Sequence, residues 1–261
     1  MIIDCHTHIS SVTDSFAVAE HLAAAETVDA CIVLANADDA SREVNRKLSE
    51  YVGRHKEKLV GFAFIDPTKD NVSVKAIAAA TEKIGLKGVV LHCASCGFHP
   101  AHSSAMQFYE AAQELALPIF FHNGDLSSSD NAVLSYVQPF LLDEIARTFP
   151  SLKIVIGNMG EPFVEQTLSM VAKHRNVYAD LTVKAGSIWQ VYNTVVAAYE
   201  SGIMDRLLFG SGFPSGRAVQ CIETLLGFNR PLGDTNLPAV PRSSIRSIIE
   251  RDTLEVLGIR R

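Results

Sequence analysis

Short, unbroken apolar runs alternate along this chain with longer stretches whose apolar residues recur at helical spacing. The first run is Ile2 and Ile3, leading into Asp4, Cys5, His6, Thr7 and His8. The others are Ala30–Ala35, Leu59–Ile65, Lys87–His92, Leu117–His122, Leu152–Gly157, Asn176–Leu181 and Arg206–Gly210. Runs of this kind suit strands covered on both faces, as in parallel sheets. Between them the spacing predicts helices. One covers Val12–Ala25 with Asp14 as N-cap. A second, capped by Ser41, puts Val44, Leu48, Tyr51 and Val52 on one stripe. A third covers Val72–Ile84 and ends at Gly85. Phe108, Ala111, Ala112 and Leu115 mark the next, and Leu134–Phe149 the one before Pro150. Glu161 and Pro162 open another, proline being tolerated in a first turn. Helices over Ile188–Tyr199 and Ser215–Phe228 follow. A loop with Pro231, Pro238 and Pro241 leads to a last helix carrying Ile245, Ile248 and Ile249.

Eight strand–helix units in 261 residues have the size of a closed (β/α)8 barrel. The expectation is therefore an α/β chain with one TIM-barrel domain over residues 1–261 and a C-terminal helix. An open doubly wound sheet is the alternative. It usually begins with a glycine-rich turn, and Cys5-His6-Thr7-His8 is not one.

The barrel reading locates the chemistry, because active sites of such barrels lie at the C-terminal ends of the strands. There the chain places His6 and His8, His92, His122, Asn158, Asp180, and Ser211 or Gly212. Four of nine histidines fall at this mouth. His21, His55 and His174 fall on helices or their ends, as solvated surface. Residues two apart on a strand share a face, so His6 and His8 converge. With His122 they would leave an open position on a divalent metal, zinc first and manganese second. A water there would drop to a pKa near ~7 and become a nucleophile.

Composition narrows the partners. The net charge is -6 with no basic stripe, which argues against nucleic acid. Five cysteines without a disulfide framework fit reduced thiols in the cytoplasm. No apolar run reaches the length of a membrane helix, and the N-terminus shows no signal-peptide pattern. The expected partner is a small-molecule substrate.

The chain resembles the amidohydrolase superfamily, in its branch of aminocarboxymuconate-semialdehyde-type decarboxylases. The likeness rests on Ile3 to His8, Gly85 to His92, Pro118 to Gly124, Asn176 to Asp180 and Arg206 to Pro214, in that order. It implies a barrel with one metal ion at His6, His8 and His122, and together with the apolar composition it favours a homodimer. Two positions depart from the family pattern. Asn158 stands where the family has a sixth-strand histidine. Gly212 stands where an eighth-strand aspartate usually serves as ligand and base, and glycine can do neither.

Replacements are sought in His92, Glu161 and Asp180. An unperturbed histidine titrates near ~6.5 and suits proton transfer. Glu161 near a helix start has its helix-dipole role as the plainer reading. Asp180 is a base or an anchor for loops. Cys93, Cys96, His99 and His102 have only half of a zinc-knuckle pattern, so their loop is expected to cover the pocket. Ser127–Ser129 are candidates for an anionic group, and Trp189 and Tyr192 for a pocket wall. The expected activity is metal-dependent hydrolysis of a small carbonyl, amide or lactone compound. The alternatives are non-oxidative decarboxylation of a small carboxylic acid, or a barrel that has lost catalysis and binds a ligand or partner.

Overall fold

The structure is a computed structural model and describes residues 1–37, 41–124, 131–233 and 235–260. Eight strands run in chain order: β1 Ile3–Thr7, β2 Ala30–Leu34, β3 Leu59–Phe64, β4 Gly88–Leu91, β5 Ile119–Phe121, β6 Ile154–Ile156, β7 Val177–Asp180 and β8 Leu207–Leu208. Each is parallel to the next, and the sheet order equals the sequence order. β8 returns to β1 through Cys5 N–H to the Phe209 carbonyl and Gly212 N–H to the His6 carbonyl, both 2.9 Å. A (β/α)8 barrel results, as the spacing of apolar runs predicts. Every strand residue is buried, which is why the runs do not alternate.

The helices are α1 Ser15–Ala25, α2 Ser41–Arg54, α3 Val74–Ala80, α4 Cys93–Cys96, α5 Ser103–Glu114, α6 Asp143–Thr148, α7 Val164–Lys173, α8 Ile188–Glu200, α9 Ala218–Leu226, α10 Arg242–Ile249 and α11 Thr253–Val256. Asp14 caps α1 by accepting the Phe16 amide. Gly85, with φ 81°, ends the turn after α3. Ser41 is the first residue of α2, and its hydroxyl donates to Asp70.

Several local expectations fail for identifiable reasons. The helix expected over 134–149 is two 3-10 turns followed by α6. Pro139 forces Gln138 out of helical geometry, to φ -64° and ψ 120°. Pro162 does the same to Glu161, at φ -49° and ψ 136°. The Glu161–Pro162 peptide is cis, and α7 starts only at Val164. Cys93–Cys96 forms a one-turn helix that the sequence reading does not contain.

Two histidines expected on the surface are buried. His174 donates from Nε2 to Asp143, 2.7 Å away. His21 lies in a chain of hydrogen bonds behind β1. Thr7 donates its hydroxyl to the Ile32 carbonyl at 2.8 Å, so it accepts from His21 Nε2 at 3.0 Å. Tyr51 then donates to His21 Nδ1 at 2.8 Å. Burial, with a smaller contribution from His55, pushes His21 down to about 4.

The unfolded chain therefore binds a proton at His21 that the folded chain refuses. This stability is complete above about pH 6.5 and is lost as pH falls toward about 4, by on the order of 3 kcal/mol. Urea denaturation at pH 7 and pH 4.5 checks it. His21→Asn is expected to be less stable than wild type at pH 7 and to show a shallower decline with acid.

Candidate metal centre

Three imidazoles meet at the C-terminal mouth of the barrel. His6 is the last residue but one of β1 and His8 follows the strand, while His122 follows β5. Among the described residues they form the only cluster of three potential ligands, with their ligand atoms within 4.8 Å of one another. His8 Nε2 lies 3.1 Å from His6 Nε2 and 3.0 Å from His122 Nε2. Two nitrogens each ~2.1 Å from a common ion stand roughly 3.0–3.4 Å apart at octahedral to tetrahedral angles.

Outer partners fix two of the rings. His6 donates from Nδ1 to Asp180 Oδ2 at 2.7 Å, and His8 donates from Nδ1 to the Leu34 carbonyl at 3.1 Å. A neutral imidazole has one proton, so both Nε2 atoms then present lone pairs to each other across 3.1 Å. Two facing acceptors repel unless a proton or a cation lies between them, and this donor set fits a metal ion. His122 differs. Its Nδ1 accepts the Gly124 amide at 3.1 Å, which leaves the proton on Nε2, facing His8. To serve as a ligand through Nε2, His122 would have to carry its proton on Nδ1 instead, at the cost of the Gly124 hydrogen bond. Burial, the largest cause, and the neighbouring histidines hold His8 and His122 well below the usual histidine range, so both are neutral donors.

Asp180 stands behind His6, not beside the ligand nitrogens. It accepts the amides of Asn158 at 3.0 Å and Thr182 at 2.9 Å, the Thr182 hydroxyl, and the Cys5 thiol at 3.7 Å. Burial alone would raise its pKa. The neighbouring His6 and the hydrogen bonds from His6, Asn158 and Thr182 oppose that burial and hold it down. Gly210 makes room for it, since a Cβ there would lie 2.2 Å from Asp180 Oδ1. Thr182 is a member of this group that the sequence reading missed. A hydroxyl residue two positions after Asp180, just past the end of β7, was the available signal.

A cavity of about 1030 Å3 opens over the three histidines. His92, Glu161, Asn158, Lys184, Thr182 and Gly212 line it, and Asp180 does not. His92 donates from Nε2 to the Ala35 carbonyl at 3.0 Å, and its ring centroid is 4.6 Å from that of His122. Burial pushes His92 down to about 4. Both carboxylate oxygens of Glu161 are engaged, one by Lys184 and the other by Gln190. The sequence reading identified neither partner.

Other candidates lie elsewhere. Trp189 and Tyr192 stack on each other at 5.5 Å, and Tyr192 stacks on Phe228 at 5.4 Å, in an apolar groove apart from the histidines. Of the Cys93 loop, only Ser95 among residues 93–102 reaches the cavity. His99 and His102 accept amides of their own loop, from Ala101 and Ser104, and burial pushes the Cys93 thiol up. Ser127–Ser129 lie outside the described residues.

A family model described as amidohydrolase matches residues 3–215. The chain belongs to the amidohydrolase family. No curated protein sequence matches it. Solved structures similar to this amidohydrolase include a 2,6-dihydroxybenzoate decarboxylase from Rhizobium, at 12% identity and TM-score 0.72 over 98% of each chain. Another is described as a probable 2-pyrone-4,6-dicarboxylic acid hydrolase from Acinetobacter baumannii, at 15% identity and TM-score 0.69 over 99% of each. A third is a 5-carboxyvanillate decarboxylase from Novosphingobium aromaticivorans complexed with manganese, at 11% identity and TM-score 0.69 over 99% of this chain and 96% of the other. At these identities the likeness is one of fold.

Outer partners of metal-bound histidines typically contribute ~10–100-fold in affinity. Asp180→Asn is expected to weaken zinc binding by about that factor, measured by competition with a chromogenic chelator. Unchanged affinity would remove Asp180 from the site.

Proposed function

We propose that this amidohydrolase is a metal-dependent hydrolase acting on a carbonyl carbon of a small molecule, with His6, His8 and His122 as its ligands. The facing lone pairs of His6 and His8, each fixed by an outer acceptor, carry the reading. With no carboxylate at Gly212 the ligand set is entirely imidazole, which favours zinc over manganese. A divalent ion there supplies Lewis-acid polarisation of a carbonyl and acidifies the attacking water.

The chain's own side chains divide the remaining work. Asp180 holds the His6 ring in its tautomer and orientation, as a positioning residue. His92 is the proton acceptor. Its Nε2 is committed to Ala35, so Nδ1 keeps the lone pair. A weak base of this kind takes the proton only transiently and returns it to the leaving group. Glu161 is less suited to that task while Lys184 and Gln190 hold it, and it serves to shape the wall opposite. Decarboxylation is the second reading, supported by the decarboxylases among the similar folds.

Metal analysis and turnover test both readings. Protein purified without chelators is expected to hold about one equivalent of zinc, by the one-ion geometry of structural precedent. His6→Ala/His8→Ala is expected to hold none. Zinc-loaded wild type should release acid from a panel of amides and lactones, and His92→Ala should lower kcat by about 10²–10⁴-fold with metal content unchanged. Absence of metal uptake would sink the proposal. Release of carbon dioxide from aryl carboxylates, without acid release from lactones, would replace hydrolysis with the second reading.

A further inference from the structure

One threonine stands where the backbone suits it least. Thr182 has φ 35°, and it is the only β-branched residue with a left-handed backbone among the described residues. Two branches on Cβ make that region costly, so the surroundings must impose it. They do so from both sides. The Leu181 and Val183 amides donate to the Leu208 and Gly210 carbonyls, each at 3.0 Å, and pin the chain to the β8 segment. Between them the Thr182 amide turns to Asp180 Oδ1 at 2.9 Å.

The side chain is buried at the cavity wall, and each of its branches is used. The hydroxyl donates to Asp180 Oδ2. With that proton committed, Oγ1 presents lone pairs to His6 Nδ1, 2.9 Å away. The Nδ1 proton of His6 is therefore shared between Asp180 Oδ2, at 2.7 Å, and Thr182 Oγ1. Imidazole, carboxylate and hydroxyl close a triangle, and the His6 ring cannot turn without losing an acceptor. The methyl branch meets the end of β8. A Cβ at Gly212 would lie 2.8 Å from Thr182 Cγ2, and apart from the adjoining residues no other atom comes within 4 Å of that position. Both branches hang on one Cβ, so a methyl group pushed aside from position 212 takes Oγ1 with it, off His6 and Asp180.

Resting on the metal-site reading above, we propose that Thr182 is a positioning residue of the metal centre, whose hydroxyl locks the His6 ring on Asp180 and whose methyl group requires glycine at position 212. The departure from the family pattern at Gly212 thus has its partner at Thr182. Gly212 leaves the β8 side of the cavity without a side chain, and Thr182 holds the first ligand from the β7 side.

Serine and valine separate the two branches, since serine keeps the hydroxyl and valine keeps the bulk. Zinc affinity is read by competition with a chromogenic chelator, with circular dichroism on each sample. Thr182→Val is expected to bind zinc about 10–100-fold more weakly than wild type, and Thr182→Ser less than about threefold more weakly. Gly212→Ala is expected to cost at least about fivefold in affinity in the wild-type background and less than about twofold in the Thr182→Ser background, where the crowding methyl is gone. The left-handed backbone at position 212 strains alanine equally in both backgrounds, so it cancels in this comparison. The cycle between positions 182 and 212 decides even if Thr182→Val does not fold. A further readout needs no metal: in zinc-free protein the His6 Nδ1 proton is expected as a downfield resonance by NMR in wild type and Thr182→Ser, and to be lost to exchange with water in Thr182→Val. Wild-type zinc affinity in Thr182→Val, equal losses in Thr182→Ser and Thr182→Val, or the same cost of Gly212→Ala in both backgrounds would overturn the inference. A wild-type protein that takes up no zinc fails at the underlying reading instead, and the resonance of the His6 proton then tests Thr182 by itself.

Discussion

The hydrogen bond from His6 to Asp180 is the contact on which the mouth of this barrel depends. It joins β1 to β7 across the short β8, and Asp180 gathers the Asn158 and Thr182 amides on the same carboxylate. One buried anion thus ties the ends of β1, β6 and β7. The carboxylate survives burial because every direction of approach brings a donor. β8 yields to it: Gly210 has no Cβ where Asp180 Oδ1 lies, and only Leu207–Leu208 remain as regular strand. A second buried acid, Asp4, accepts the Ser211 amide at 2.9 Å and holds the opposite side of that seam. Burial raises it to about 6, with the Ser211 and His6 amides opposing.

The barrel was legible because its strands are apolar on both faces, and no local interaction competes with that pattern. The convergence of His6, His8 and His122 was legible for a related reason. Strand ends in a closed barrel have fixed directions, so sequence position becomes position at the mouth. Loop geometry was not legible, since proline acts on the residue before it. Helical periodicity runs straight through Gln138 and Glu161, yet both are extended. His21 was misjudged because its helix is nearly apolar throughout. Its few polar residues form no stripe to declare which way His21 faces, and Tyr51 and Thr7 come from other segments. Glu161 was misjudged in its neighbours for the same reason, since Lys184 and Gln190 reach it from the segment after β7.

The strain in the β6 loop has a place in this arrangement. Asn158 and Met159 both adopt left-handed backbone angles, which asparagine tolerates and methionine rarely takes. In exchange the Asn158 amide reaches Asp180 and its side chain reaches the cavity. The main chain of Asn158 thus supports Asp180, the outer partner of His6, while the residue also lines the cavity. A glycine there would ease the backbone but leave the wall bare.

Under the proposed function, a glycine at position 212 also changes what the remaining residues would have to do. Three neutral imidazoles withdraw less charge from a divalent ion than a set that includes aspartate, so water near it is acidified more strongly. The demand on a general base falls accordingly. His92, pushed down to about 4 by burial, would be a poor partner for ordinary water. It is better matched to a water already near neutrality, because proton transfer is most efficient when the two pKa values approach each other. Under the proposed function, Gly212 and the weakly basic His92 would therefore suit each other: an ion less neutralised by its ligands would acidify its water more, and a weaker base would suffice to take the proton.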